Sequence, residues 1–167
     1  ETGHGELKGV GGFVRLIQRR VGRVFRRETE SRSRRENGCE TIDYNLITES
    51  IIGAAIEVHR KRGPGLLERA YRECLSQEFL IRGIAYEREK PIPVEYTGVK
   101  LECGYRVDFL VEGRVVLELK SIDAIAPIHE AQLVTYLSLG GWQVGLLINF
   151  NVLLLKHGVR GVGVHSR

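Results

Sequence analysis

Hydrophobic and polar positions alternate most cleanly between Gly104 and Ser121, in GYRVDFLVEGRVVLELKS. Val107, Phe109 and Val111 fall on one face of a first run, and Val115, Leu117 and Leu119 on one face of a second. A period of two predicts two β-strands with the charged residues on their other faces. If both apolar faces enter one core, antiparallel pairing must set Val111 against Val115, Phe109 against Leu117 and Val107 against Leu119. A two-residue Glu112-Gly113 turn would shift this match by one position. The pattern therefore predicts a three-residue loop over Glu112 to Arg114, or a two-residue turn with a compensating bulge. Asp108 then lies opposite Glu118, and Arg106 opposite Lys120.

Helical spacing comes before this hairpin. Asn45 can cap a helix whose apolar positions Ile47, Ile51, Ala55 and Val58 recur at i, i+4, i+8 and i+11, and Gly63-Pro64-Gly65 ends it. A second helix is predicted to follow at once, with Pro64 in its first turn, a buried stripe of Leu67, Ala70, Cys74 and Leu75, and Gly83 at its close. Glu68 and Tyr71 share a face near its N-terminus, where the helix dipole favours a carboxylate. Residues 84–102 read as an extended edge segment, interrupted by Pro91 and Pro93 and turning at Thr97-Gly98.

After the hairpin, residues 127–139 form a predicted helix with Ile128, Ala131, Val134 and Leu137 apolar, and with Gln132 and Tyr136 on another flank. The run GWQVGLLINF has the continuous apolar character of a central strand covered on both faces. Residues 152–164 read as a last strand with a turn at Gly158 and a short return.

At 167 residues and 43% apolar content the chain suits one globular domain plus a tail. The charge is uneven: residues 1–40 carry ten Lys and Arg against six Asp and Glu, and residues 41–167 carry fifteen of each. The predicted domain, 41–167, is thus neutral, and the basic balance of the chain is a weak pointer to nucleic acid. In residues 1–40, Phe13, Leu16, Ile17, Val21 and Val24 recur at roughly helical spacing among arginines. That pattern suits either a basic arm for nucleic acid or a membrane surface, or a disordered or expression-derived leader. The linker-like Ser31 to Gly38 favours the leader. No apolar run approaches the roughly 20 residues that span a bilayer, and nothing resembles a secretory signal, so the expected location is cytoplasmic with no membrane partner. Cys39, Cys74 and Cys103 are too widely spaced for a metal knuckle and are expected as free thiols.

Two carboxylates facing each other across a ladder lie about 4.5–5.5 Å apart at Cβ and repel. A hard divalent cation would neutralise Asp108 and Glu118, since Mg²⁺ commonly takes one or two carboxylates plus a substrate phosphate. Lys120, two residues along, could then hold an anionic group or a water beside it. A solvated polar face, with Arg106 and Lys120 balancing the acids, accounts for the same alternation. Other chemistry is thin: there is no Walker loop, no Gly-x-Ser-x-Gly elbow and no His-Glu-x-x-His, and His59, His129 and His157 are scattered.

Residues 65–71, GLLERAY, match the signature of the GxxExxY family of the PD-(D/E)XK nuclease-like superfamily. The stretches YRVDFLVEG, VLELKSI, QLVTYL and GLLINF resemble its later blocks in order, over Asn45 to Gly161. The resemblance implies an α/β restriction-endonuclease-like fold, with a mixed central sheet flanked by helices and two helices N-terminal to it. It implies Asp108 and Glu118 as metal-binding carboxylates, Glu68 as a third acid from the preceding helix, and Lys120 as the residue that orients the attacking water. Gln132 and Tyr136 fall on a Gln-Leu-x-x-Tyr pattern like the one lining the site of RecB-type nucleases, and Tyr71, Arg106 and Tyr136 become substrate-positioning candidates. Val107 replaces the proline of the superfamily's name. The implied activity is Mg²⁺- or Mn²⁺-dependent, endonucleolytic hydrolysis of phosphodiesters, DNA before RNA, and a homodimer is compatible with it. The rivals are a catalytically silent nucleic-acid- or protein-binding module on the same fold, and a phosphoryl-transfer enzyme acting on a nucleotide.

Overall fold

The computed structural model describes residues 43–101 and 104–164. The leader expected over residues 1–40 lies outside them. The described chain runs α1 (Tyr44–Arg62), α2 (Glu68–Arg82), β1 (Tyr86–Pro91), β2 (Val94–Tyr96), β3 (Val99–Leu101), β4 (Arg106–Val111), β5 (Val115–Lys120), α3 (Pro127–Gly140), β6 (Val144–Asn149), a 3₁₀ turn (Leu155–His157) and β7 (Val159–Gly163). Five strands form one mixed sheet in the order β1-β4-β5-β6-β7, and β2 and β3 form a separate hairpin. Only β5 and β6 are parallel, and α3 is the crossover that joins them.

Near the loop the hairpin register is the one the alternation demands, but the expected pair of Val107 with Leu119 does not form, and these two residues pack into different layers. Val111 pairs with Val115 and Phe109 with Leu117, around a three-residue loop in which Glu112 and Gly113 both have positive φ, 52° and 64°. The β2-β3 turn is at Thr97-Gly98, and β1, with its prolines nearby, is the sheet edge. The face made by Phe109, Val111, Val115, Leu117, Leu119, Leu146 and Ile148 packs against α1 and α2. Leu110, Val116 and Leu147 face the other way, onto Leu133, Tyr136 and Leu137 of α3. Gly145 lets α3 approach the sheet: a Cβ there would stand 2.9 Å from Leu133 Cδ1.

Several local expectations shift. The cap of α1 is Asp43, whose side chain accepts from Asn45 N at 2.9 Å, two residues earlier than the expected Asn45 cap. Pro64 is not in the first turn of α2, because Gly65 at φ 99° cannot be helical and the helix begins at Glu68. The buried stripe of α2 is Tyr71, Leu75, Ser76, Glu78 and Phe79, and Leu67 is exposed. On α3 the buried residues are Leu133, Tyr136 and Leu137, with Ile128 and Val134 exposed. Val107 joins the α3 side rather than Phe109 and Val111. This break in alternation falls beside Asp108, whose neighbour across β1, Glu89, has φ 47°. Residues 151–154 are bends, not strand, and lead into the 3₁₀ turn.

The loop between α1 and α2 is held by one phenol. Tyr71 is fully buried and stacks on Phe150 at 4.4 Å, while its hydroxyl donates to Gly63 O (2.6 Å) and accepts from Leu66 N (3.2 Å). Leu66 O in turn accepts from Ser121 Oγ at 2.6 Å, which ties the loop to the end of β5. Tyr71, expected to position substrate, is thus a core residue whose hydroxyl is already engaged. Tyr71→Phe keeps the ring and removes both hydroxyl bonds, so it should cost about 1–3 kcal/mol in denaturant unfolding. An unchanged midpoint would show that the phenol does not hold the loop.

Candidate active site

Backbone pairing between β4 and β5 is recorded from Val111↔Val115 to Phe109↔Leu117. Beyond that point the acidic side chains take up amide protons themselves. Asp108 N donates to Glu118 Oε1 at 3.2 Å, and Leu119 N donates to Asp108 Oδ2 at 2.8 Å. The two carboxylates therefore meet at the mouth of a fork in the sheet. They do not form a solvated face: Asp108 is 8% exposed and Glu118 6%.

Like charges buried together must be compensated or neutralised. Burial, and then the neighbouring Asp108, push the Glu118 carboxyl up to about 8, against the opposing pull of Lys120. Lys120 Nζ lies 3.8 Å from Glu118 Oε2, and its side chain is mostly buried. Asp108 is served differently. Arg72 Nη2, reaching over from α2, stands 2.6 Å from Asp108 Oδ1.

Glu68 begins α2, so its carboxylate sits at the positive end of the helix. Burial raises its pKa and so does Asp108, while Lys120 and Arg72 lower it. These couplings place Glu68 in the same electrostatic cluster, half-exposed and 3.7 Å from Arg72. It does not close onto the acidic pair: among the described residues no three His, Cys, Asp or Glu side chains are grouped to hold a metal. From the opposite layer, α3 brings Gln132 and Tyr136. Gln132 Nε2 donates to Tyr136 Oη at 2.8 Å, which leaves the phenolic hydrogen to donate elsewhere. Burial first and the Glu118 charge second raise the Tyr136 pKa, keeping it a neutral donor.

Arg106 is not brought into this cluster by the ladder. It pairs with Pro91 of the edge strand and is exposed, and the pairing with Lys120 expected from the alternation does not occur. His59 and His129 are structural, bonding Val152 O at 2.7 Å and Ala126 N at 2.9 Å.

Two contributors escaped the sequence reading. Arg72 was detectable, since it lies four residues after Glu68 and so on the same helical face. Asn149 had no local signal. Fully buried at the end of β6, it accepts from Ile122 N (3.1 Å) and Asn151 N (3.2 Å) and donates to Ile122 O (2.8 Å). Together with the Ser121–Leu66 bond it clamps the chain immediately after Lys120.

The raised Glu118 carboxyl has a stability consequence. The folded protein keeps this proton where the unfolded chain, near 4.5, has lost it. Its contribution is complete below the unfolded value and is lost as pH rises through about 8. In EDTA, urea midpoints of the wild type should fall between pH 5.5 and 8.5 more steeply than those of Glu118→Gln. Parallel curves would mean that Glu118 ionises freely.

The span from the first helix to the last strand has a counterpart among known families, although no curated protein and no solved structure matches the chain. Residues 45–162 match the family model described as the PD-(D/E)XK nuclease superfamily, over a mixed sheet preceded by two helices as a restriction-endonuclease-like α/β fold requires. With a nuclease-type family covering most of its length and an acid pair followed by Lys120 at the fork of the sheet, the chain belongs to the PD-(D/E)XK nuclease superfamily.

Proposed function

We propose that the protein is a divalent-metal-dependent endonuclease of the GxxExxY group, acting on DNA in preference to RNA. The observation that carries this reading is the buried Asp108–Glu118 pair with Lys120 beside it. Its donor chemistry fits Mg²⁺ or Mn²⁺: two hard carboxylate oxygen donors, one of them pushed towards its protonated form by burial and then by its partner's charge. Asp108 and Glu118 would hold the ion, with Glu68 near enough electrostatically to join through water or substrate. Such an ion supplies Lewis acidity at a phosphoryl oxygen and stabilises the leaving alkoxide.

The chain's own groups do the rest. Lys120, fixed by the clamp that follows it, donates hydrogen bonds to the attacking water or to a non-bridging oxygen. Tyr136, oriented by Gln132, directs its phenolic hydrogen towards the same region. Glu68 orders the water shell from the start of α2. Arg106, exposed at the entry to β4, is available to a backbone phosphate of the bound strand.

A second reading has one observation in its favour. Arg72 already compensates Asp108, as it would in a binding module that uses no metal. Cleavage of single-stranded, duplex and branched DNA and of a matched RNA, in Mg²⁺, Mn²⁺ or EDTA, separates the two. The nuclease reading expects metal-dependent cleavage, reduced about 10²–10³-fold or more by Asp108→Asn and by Lys120→Met. Binding without cleavage by the wild type would favour the silent module, and equal cleavage by all three proteins would remove the site from the reaction.

A further inference from the structure

Arg72 is the most heavily engaged cation in the site. Its guanidinium stands 2.6 Å from Asp108, 3.6 Å from Glu89 and 3.7 Å from Glu68, so one side chain serves acids from α2, β1 and β4. Only the Asp108 approach is close. The others exceed hydrogen-bonding distance, and Nε is buried with no hydrogen-bond partner. An arginine placed for structure alone would be expected to satisfy its planar fork with paired contacts, as Arg88 does on Glu73 at 2.7 and 2.9 Å. Arg72 instead spends its charge on one oxygen of one catalytic candidate. That oxygen, Asp108 Oδ1, differs from Oδ2, which is occupied by Leu119 N. Oδ2 is thus held by the backbone, whereas Oδ1 is held by a side chain that can move aside.

We infer that Arg72 is the resident counter-ion of Asp108 and competes with a divalent cation for Oδ1, giving up that contact when the metal binds. The inference rests on the metal-dependent reading of the site. Arg72 keeps the acid pair compensated and folded without metal, and it sets the metal concentration at which the site loads. Its incomplete hydrogen bonding keeps this exchange cheap, because little beyond the Asp108 contact has to be broken. Glu68 and Glu89 lie beside it to receive the displaced guanidinium.

Calorimetric titration of Mn²⁺ into the full chain tests this directly, with Asp108→Asn marking which binding belongs to the site. Arg72→Gln, which keeps much of the length and polarity but not the charge, should bind Mn²⁺ about tenfold tighter than the wild type, or more. Arg72→Lys, a point charge without the planar fork, should fall between them. A merely structural arginine would give the opposite sign, since its loss would loosen the site and weaken binding. Should Arg72→Gln not fold by circular dichroism, Arg72→Lys decides alone: affinity raised about threefold or more supports the competition, and unchanged or weaker affinity overturns it. Asp108-dependent binding that Arg72→Gln leaves unchanged or weakens overturns the competition while the metal site stands. No Asp108-dependent binding in any of the proteins removes both.

Discussion

The structure turns on placing two carboxylates together where water cannot screen them. At about 5 Å and an effective dielectric of about 20, two full charges repel by about 3 kcal/mol, a large share of the stability of a small domain. Several features of the fold offset this repulsion. Two amide protons are diverted from strand pairing to the acids, Lys120 flanks Glu118, Arg72 reaches Asp108 from another layer, and Glu118 tends to keep its proton. These compensations are distributed over β4, β5 and α2, so the site exists only when the sheet and the helix layer are both in place. A cluster of this kind is costly for folding alone, and such retained cost is commonly associated with function.

The short signature around Glu68 gains a mechanical meaning from this constraint. Gly65 permits a backbone turn that no other residue would take without strain, and Tyr71 fastens the loop through Gly63 and Leu66. Leu66 then meets Ser121, one residue past Lys120. Of the three signature positions, the outer two therefore set where α2 begins relative to β5, and the middle one carries the acid. Arg72 follows Tyr71 immediately, so the phenol that aims Glu68 also aims the guanidinium.

Legibility followed the range of the interaction. The hairpin register and its three-residue loop were readable because period-two alternation leaves one answer once both apolar faces share a core. The crossover helix and central strand were equally plain from continuous apolar character and glycine boundaries. Choices between adjacent faces were not. Tyr71 could be read either as a substrate-positioning residue or as a packing residue, and Leu67 as core; the loop geometry decided both, burying Tyr71 with two backbone partners for its hydroxyl and leaving Leu67 exposed. On α3 the expected apolar set of Ile128, Ala131, Val134 and Leu137 held only at Leu137, because the helix packs Leu133 onto Gly145 of the sheet and leaves the other three exposed. Asp108 and Glu118 could be paired from sequence, whereas their burial and the reach of Arg72 across layers depend on tertiary packing that no local pattern encodes.

Charge distribution narrows how such a site could meet a polyanion. Residues 41–167 balance fifteen cations with fifteen anions, so this stretch of chain has no net charge with which to attract a phosphate backbone over distance. Affinity for nucleic acid scales with the phosphates that Lys and Arg neutralise, each releasing condensed counter-ions. Over a neutral stretch those contacts must be local, and the cations within the site are already opposed by acids: Lys120 by Glu118, and Arg72 by Asp108, Glu68 and Glu89. A phosphate approaching this cluster therefore meets two cations outnumbered by four acidic side chains until another cation is added. On the proposed reading, metal loading and substrate engagement would be coupled by electrostatics before any bond is broken: each added positive charge would relieve the acid pair and free a basic side chain for the strand.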